Sequence, residues 1–358
     1  LDQKETWVQI SRDDALKENE RIKFENQSII GSISLKGAAI DDLTFKNYKV
    51  SLESDKKVIL LGPRNIEDGY LIESGFVTTD KNIDIPNSES IWSVIGNNKL
   101  TEKSPIKLSW SNDQGITFEK EISLDDKFLF SITQKVINST DKKYDFYSYG
   151  QIIRNKIPDG LSNFYILHEG PIATLDDELI EEDYDDIQEK KFSRNSQKGW
   201  LGFGDKYYVA SIIPPKGEEF KTTFDYKNKF RANFITTNPQ ELKKNSIIEN
   251  NLKVIVAAKR VDVIDGYAES LKIDKFDLVI DWGFLYFITK PLFFGIDYFF
   301  KLLGNYGLAI IAITICIRLA FFPLANFSFR SMAKMKALQP EMVRLKELHK
   351  EDKMKLQQ

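Results

Sequence analysis

Cysteine is almost missing from this chain. The one residue, Cys316, lies inside an apolar stretch, so no internal disulfide framework and no thiolate metal site is expected. Histidine is nearly as scarce. His168 and His349 are too few for a metal cluster, and His168 reads as a structural turn residue. No P-loop, no hydrolase elbow and no Cys/His spacing typical of zinc sites occurs, so neither a cofactor nor an enzymatic step is expected. A basic footprint for nucleic acid is absent from the bulk of the chain. Residues 1–281 carry 39 Lys and Arg against 48 Asp and Glu, a net of −9. Up to Ala268 there is also no long amphipathic helix. The sequence opens Leu1-Asp2-Gln3-Lys4, without an initiator Met or a signal peptide. An exported domain needs a targeting segment ahead of it, so the expectation is a piece of a longer protein.

What the sequence does contain is β periodicity. After a polar stretch over residues 1–20, short alternating runs separated by turn residues continue from about Glu20 to Ala268. Phe128, Phe130, Ile132, Gln134 and Val136 alternate on one face until the Asn138-Ser139-Thr140-Asp141 turn, and Leu252, Val254, Val256 and Ala258 repeat the pattern. With 42% hydrophobic and 12% aromatic residues a sizeable core is available, and an antiparallel sandwich of many strands fits best. Two stretches interrupt the pattern. Asp176 to Lys190 holds nine carboxylates and reads as a solvated loop or strand edge, since it lacks the regular ligand spacing of a calcium loop. Gly199-Trp200-Leu201-Gly202-Phe203-Gly204 is glycine-rich but follows no strand-to-helix unit, which makes it a strand with bulges rather than a phosphate cradle.

After Ala268 the chemistry changes. Trp282 to Leu303 is mostly apolar and aromatic, broken by Lys290-Pro291, Asp297 and Lys301; Leu308 to Ala325 follows with Arg318 as its only charge. A helix over that second run is long enough to cross a bilayer's hydrocarbon. Basic residues accumulate after it: Ser328 to Gln358 carry eight Lys and Arg against four Asp and Glu. The positive-inside rule therefore puts this tail in the cytoplasm and the β domain outside. Trp282–Leu303 is expected to lie in the outer interface, its charges in water, because spanning would bury three charges and reverse the topology. In the tail, Met332, Met335, Leu338, Met342, Leu345 and Leu348 recur at spacings of three and four, an amphipathic helix that Pro340 kinks or restarts.

An arginine inside a spanning helix costs about 2.5–3.5 kcal/mol on insertion scales, so Arg318 needs a reason. One account is snorkelling to the inner headgroups. The other is a polar face on a wet cavity: Thr314 lies one turn before Arg318, with Asn326 two turns after it, as a thin polar stripe. A buried guanidinium stays charged and attracts carboxylates in a weakly screened setting.

Particular segments carry a resemblance. Gly304-Asn305-Tyr306-Gly307-Leu308-Ala309-Ile310-Ile311, Thr314-Ile315-Cys316-Ile317-Arg318, Phe322-Pro323-Leu324 and Ser331-Met332-Ala333-Lys334-Met335-Lys336-Ala337-Leu338-Gln339-Pro340 closely resemble the bacterial YidC membrane insertase family. Gly31–Gly37, His168-Glu169-Gly170-Pro171 and Gly199-Trp200-Leu201-Gly202 resemble that family's large periplasmic domain, in the same order. The resemblance implies a periplasmic β-supersandwich similar to mutarotase folds over residues 21–270, after the polar segment 1–20. It further implies a linker and interfacial amphipathic helix over 271–303, a transmembrane helix over 304–327, and the start of a cytoplasmic helical hairpin over 328–358. It assigns Arg318 and Thr314 to a substrate groove, and implies insertion of hydrophobic segments into the bacterial inner membrane without covalent chemistry. Implied partners are nascent membrane proteins and the lipid bilayer, with the Sec translocon, ribosome or targeting factors as candidates for the cytoplasmic region. The alternatives are a carbohydrate-binding or mutarotase-like periplasmic protein, or a membrane-anchored sensor.

Overall fold

The computed structural model describes residues 10–161, 167–283 and 285–348, with side chains up to residue 344. Much of the expected polar segment 1–20, and the end of the tail with His349, therefore lie outside the described residues. The chain divides into two compact units, Leu1–Asp281 and Trp282–Gln358.

In the first unit a short helix, α1 (Arg12–Ala15), precedes β1 (Arg21–Glu25), β2 (Ile29–Ser34), β3 (Ala39–Lys49), β4 (Lys57–Leu61) and β5 (Tyr70–Val77). Two short strands follow, β6 (Ser93–Ile95) and β7 (Lys99–Leu100), then four longer ones: β8 (Ile106–Ser111), β9 (Ile116–Leu124), β10 (Leu129–Asn138) and β11 (Tyr144–Arg154). β12 (Gly170–Leu175) and β13 (Glu178–Glu181) lead into α2 (Tyr184–Glu189). The remaining strands are β14 (Phe192–Ser196), β15 (Gly199–Gly204), β16 (Tyr208–Ile213), β17 (Phe220–Tyr226), β18 (Phe230–Thr236), β19 (Gln240–Leu242) and β20 (Ile247–Ala258), before α3 (Val261–Leu271).

These strands form two large sheets. The first runs β14-β17-β18-β11-β5-β3-β2-β1-β7, with β19 beside β11 and β4 beside β3; the second runs β13-β12-β15-β16-β20-β10-β9-β8-β6. Pairing is antiparallel except between β1 and β7. The alternation read at Phe130, Ile132 and Val136 places those residues opposite Leu124, Ile122 and Phe118 of β9, all on the buried face. Aromatic rings join the sheets: Phe24 meets Phe130 with centroids 5.2 Å apart, Phe45 stacks on Tyr208 at 5.0 Å, and Phe118 meets Phe146 at 5.7 Å. The expected antiparallel sandwich is thus present.

Several details differ from expectation or refine it. The β unit continues to Asp281 rather than ending near residue 270. The β region was expected to hold no long helix, but α3 begins within it; α3 buries Val263, Ile264 and Tyr267, and Ile273, Phe276 and Val279 beyond it are buried too. These three apolar anchors lie three apart within seven residues of the segment expected to be a linker. The acidic stretch from Asp176 is the β12–β13 turn, an edge strand and α2, with only Tyr184 and Ile187 of that helix buried. Among the described residues no cluster of carboxylates, His or Cys is arranged to hold a metal.

The second unit is a helical hairpin. α4 (Tyr286–Leu303) ends at Gly304, whose left-handed conformation suits glycine, and α5 (Tyr306–Leu348) starts at once. The Asn305 side chain accepts from the Leu308 N–H at 3.2 Å. α5 runs unbroken through Pro323 and Pro340, so the expected restart at Pro340 does not occur; each proline removes one helical hydrogen bond without ending the helix. At 1.5 Å per residue its 43 residues extend roughly 65 Å, about twice a bilayer's hydrocarbon thickness.

Candidate functional site

The polar residues of α5 take their setting from how α4 folds back. Phe300 stacks on Tyr306 with centroids 3.9 Å apart, and a Cβ at Gly295 would sit 2.9 Å from Ile313 Cδ1. Gly295 lies nine residues before Gly304, roughly 13 Å along the helix, so α4 leans along α5 rather than meeting it only at the elbow. α4 therefore packs along the first turns of α5. Its own charges are locally held: Lys301 pairs with Asp297 at 2.6 Å, and Lys290 sits over the Trp282 ring at 5.7 Å.

Tyr306, Ala309 and Ile313 form the α5 stripe on this side; Ala309 is wholly buried while Ile310 and Ile311 are exposed. At 100° per residue, Thr314 and Arg318 fall roughly 140° and 180° round the helix from Ala309. Both are exposed, on the face turned from α4. Two refinements follow. The Thr314 hydroxyl donates to the Ile310 carbonyl at 2.7 Å, so the polar pair is not hydrogen-bonded to itself. Asn326 lies roughly 80° from Arg318 and does not continue the stripe. The polar face is thus Thr314 and Arg318, and no carboxylate among the described residues lies within ion-pair distance of that guanidinium. Among the described residues α5 alone is long and apolar enough to cross a membrane. A lone guanidinium on such a helix can attract anions, orient carbonyls and hold water; it offers no nucleophile or acid–base partner.

Comparison with known proteins settles the family. Residues 21–294 match the model of the YidC periplasmic domain, and residues 298–358 match that of the 60Kd inner membrane protein. The chain belongs to the YidC family. It is 71% identical over its whole length to the membrane protein insertase YidC of Pelagibacter ubique and covers 64% of that protein. It is 38% identical to the relative of the same name from Brucella melitensis, covering 60% of it, and 39% identical to that of Rickettsia prowazekii, covering 61%. The chain thus spans under two thirds of the length of these YidC relatives. All three are named as insertases. Among solved structures, a galactose-mutarotase-related enzyme of Lactobacillus acidophilus aligns at 14% identity and a TM-score of 0.47, over 66% of this chain and 97% of that one.

Proposed function

We propose that this chain supplies the exported β domain and the first groove helix of a membrane protein insertase in the bacterial inner membrane. Membership of the YidC family carries this reading, and the isolated Arg318–Thr314 face turned from α4 gives it a mechanism. Arg318 draws an acidic or polar segment of a newly made protein into a partly hydrated groove while the segment's apolar part slides into lipid. Attraction on the order of 1 kcal/mol is enough, because burying the incoming helix supplies roughly 25 cal/mol per Å² and the substrate must leave again. The basic half of α5 lies on the cytoplasmic side, where it meets targeting or synthesis factors. The β domain lies outside.

The test is insertion of a substrate series differing only in tail charge, by the full-length parent at matched expression. Arg318→Lys retains most activity. Arg318→Ala slows acidic-tailed substrates roughly fivefold and neutral ones less, since about 1 kcal/mol of attraction is lost. Arg318→Glu is worst for acidic tails. Uniformly normal insertion by Arg318→Ala removes the electrostatic mechanism.

A further inference from the structure

Among the described residues, the first sheet has a lane beside β4 that no strand fills. β4 and β5 follow one another along the same edge of β3, both antiparallel to it, through Thr44↔Ile59 and Leu43↔Leu61 and then Ile40↔Ile72. β11 flanks β5 on its far side as far as the pair Arg154↔Tyr70. There the chain turns away. The Asn155 side chain donates to the carbonyls of Arg64 at 2.9 Å and Ile66 at 2.7 Å, and its backbone N–H donates to that of Gly69 at 2.8 Å. Beyond that point no strand among the described residues lies beside β4.

The lane opens into a cavity of about 760 Å³ whose lining includes Val58 to Gly62, Lys156, Pro158 and Asp159, with Ile10 to Arg12 covering part of it. β4 reads Lys-Val-Ile-Leu-Leu, and Ile59 is 48% exposed. Unprotected apolar edges recruit another strand, and natural proteins usually guard them with charge, proline or cover. The interior charges near the lane are already satisfied: Arg154 pairs with Asp205 at 2.5 Å, and Arg12 pairs with Asp42. The rim is not balanced. Among the described residues, Glu67, Asp68 and Asp159 all pair with one cation, Lys156.

We propose that this lane takes an extended polypeptide segment, apolar along its length and basic at one end, which adds as a strand to the open edge of β4. The five residues of β4 span about 17 Å, and backbone hydrogen bonds supply affinity while the acidic rim selects the basic end. The site belongs to the β unit and does not rest on the Arg318 reading.

The probe is a fluorescent peptide of about seven alternating valines and threonines ending in lysine, titrated by anisotropy against the whole chain in lipid nanodiscs. Two versions carry N-methyl groups on alternate residues, one version for each set. An added strand uses only one set of N–H groups for β4, so methylating that set weakens binding about tenfold while methylating the other is tolerated. Asp68→Lys with Asp159→Lys weakens the lysine peptide and improves one ending in glutamate. Ile59→Lys, checked for an unchanged circular dichroism spectrum, weakens both. Absent saturable binding, equal binding of both methylated peptides, or indifference to the rim reversal overturns the proposal.

Discussion

Arg318 stands on the opposite side of α5 from Ala309, the wholly buried residue on the stripe that α4 contacts. That opposition gives one helix two faces with separate duties. The small side chain at 309 lets α4 approach, and the approach leaves the guanidinium facing outward.

The hairpin is therefore expected to fail if Ala309 grows. Ala309→Leu inserts three carbons into a closed contact, at a cost of about 1–3 kcal/mol. Cysteines at Gly295 and Ile313, in a Cys316→Ser background, should be joined rapidly by a short thiol cross-linker, and Ala309→Leu should slow the reaction severalfold. An unchanged rate means that α4 does not depend on this contact.

Orientation is open to direct labelling. Ser139 lies in the exposed turn after β10, and Ser328 lies on exposed α5 just past the apolar run. With Cys316 replaced, a cysteine at Ser139 should react with impermeant reagent admitted to the periplasm of cells expressing the full-length parent. A cysteine at Ser328 should be shielded until the inner membrane is broken. The reverse pattern inverts the topology.

The legible parts of the sequence were those where one periodicity holds for long. β10 alternates from Phe130 onward and its buried face was assigned correctly, whereas β20 alternates only as far as Val254 and then buries Ile255, Val256, Ala257 and Ala258 in succession; the apolar span with its lone arginine stood out by composition. Two things could not be read. The buried anchors Ile273, Phe276 and Val279 lie three apart, the period of the 3-10 turn Phe276–Val279, but the run is too short to stand out from an irregular linker. The opposition of Ala309 and Arg318 needs a partner helix before either face has meaning. The position of Asn326 could have been read: counting 100° per residue excludes it from the stripe.

The glycine-rich run makes the third prediction. Gly202 sits in β15 opposite Ser211 of β16, and a Cβ there would lie 2.0 Å from the Ala210 carbonyl oxygen. The glycine is needed for strand-to-strand approach, not for phosphate. Gly202→Ala must push two central strands apart, at a cost of about 1–3 kcal/mol. Urea unfolding of the β unit, followed by its circular dichroism in the intact chain, should show the loss; an unchanged midpoint refutes the contact.

Lys120 gives the fourth. It is buried between the sheets, where its ammonium donates to the Ser74 carbonyl at 2.6 Å and lies 4.9 Å from the Trp92 ring centroid. Among the described residues no carboxylate lies within ion-pair distance, and desolvation pushes its pKa down to about 8, with Glu73 opposing only in part. Between about pH 8 and the usual lysine value the unfolded chain binds more protons than the folded one, so this group makes stability rise with pH across that window. Below pH 8 both states are protonated and the desolvation cost is present in full, up to on the order of 3 kcal/mol. Lys120→Met removes that cost and forfeits one hydrogen bond, worth about 1 kcal/mol net. The methionine variant should therefore be at least as stable as the parent sequence at pH 7, and its advantage should shrink or reverse by pH 10. Differences in urea midpoint between the two proteins, measured at both pH values, cancel the other alkaline titrations they share. The same difference at pH 7 and pH 10 means that Lys120 does not titrate abnormally in the fold.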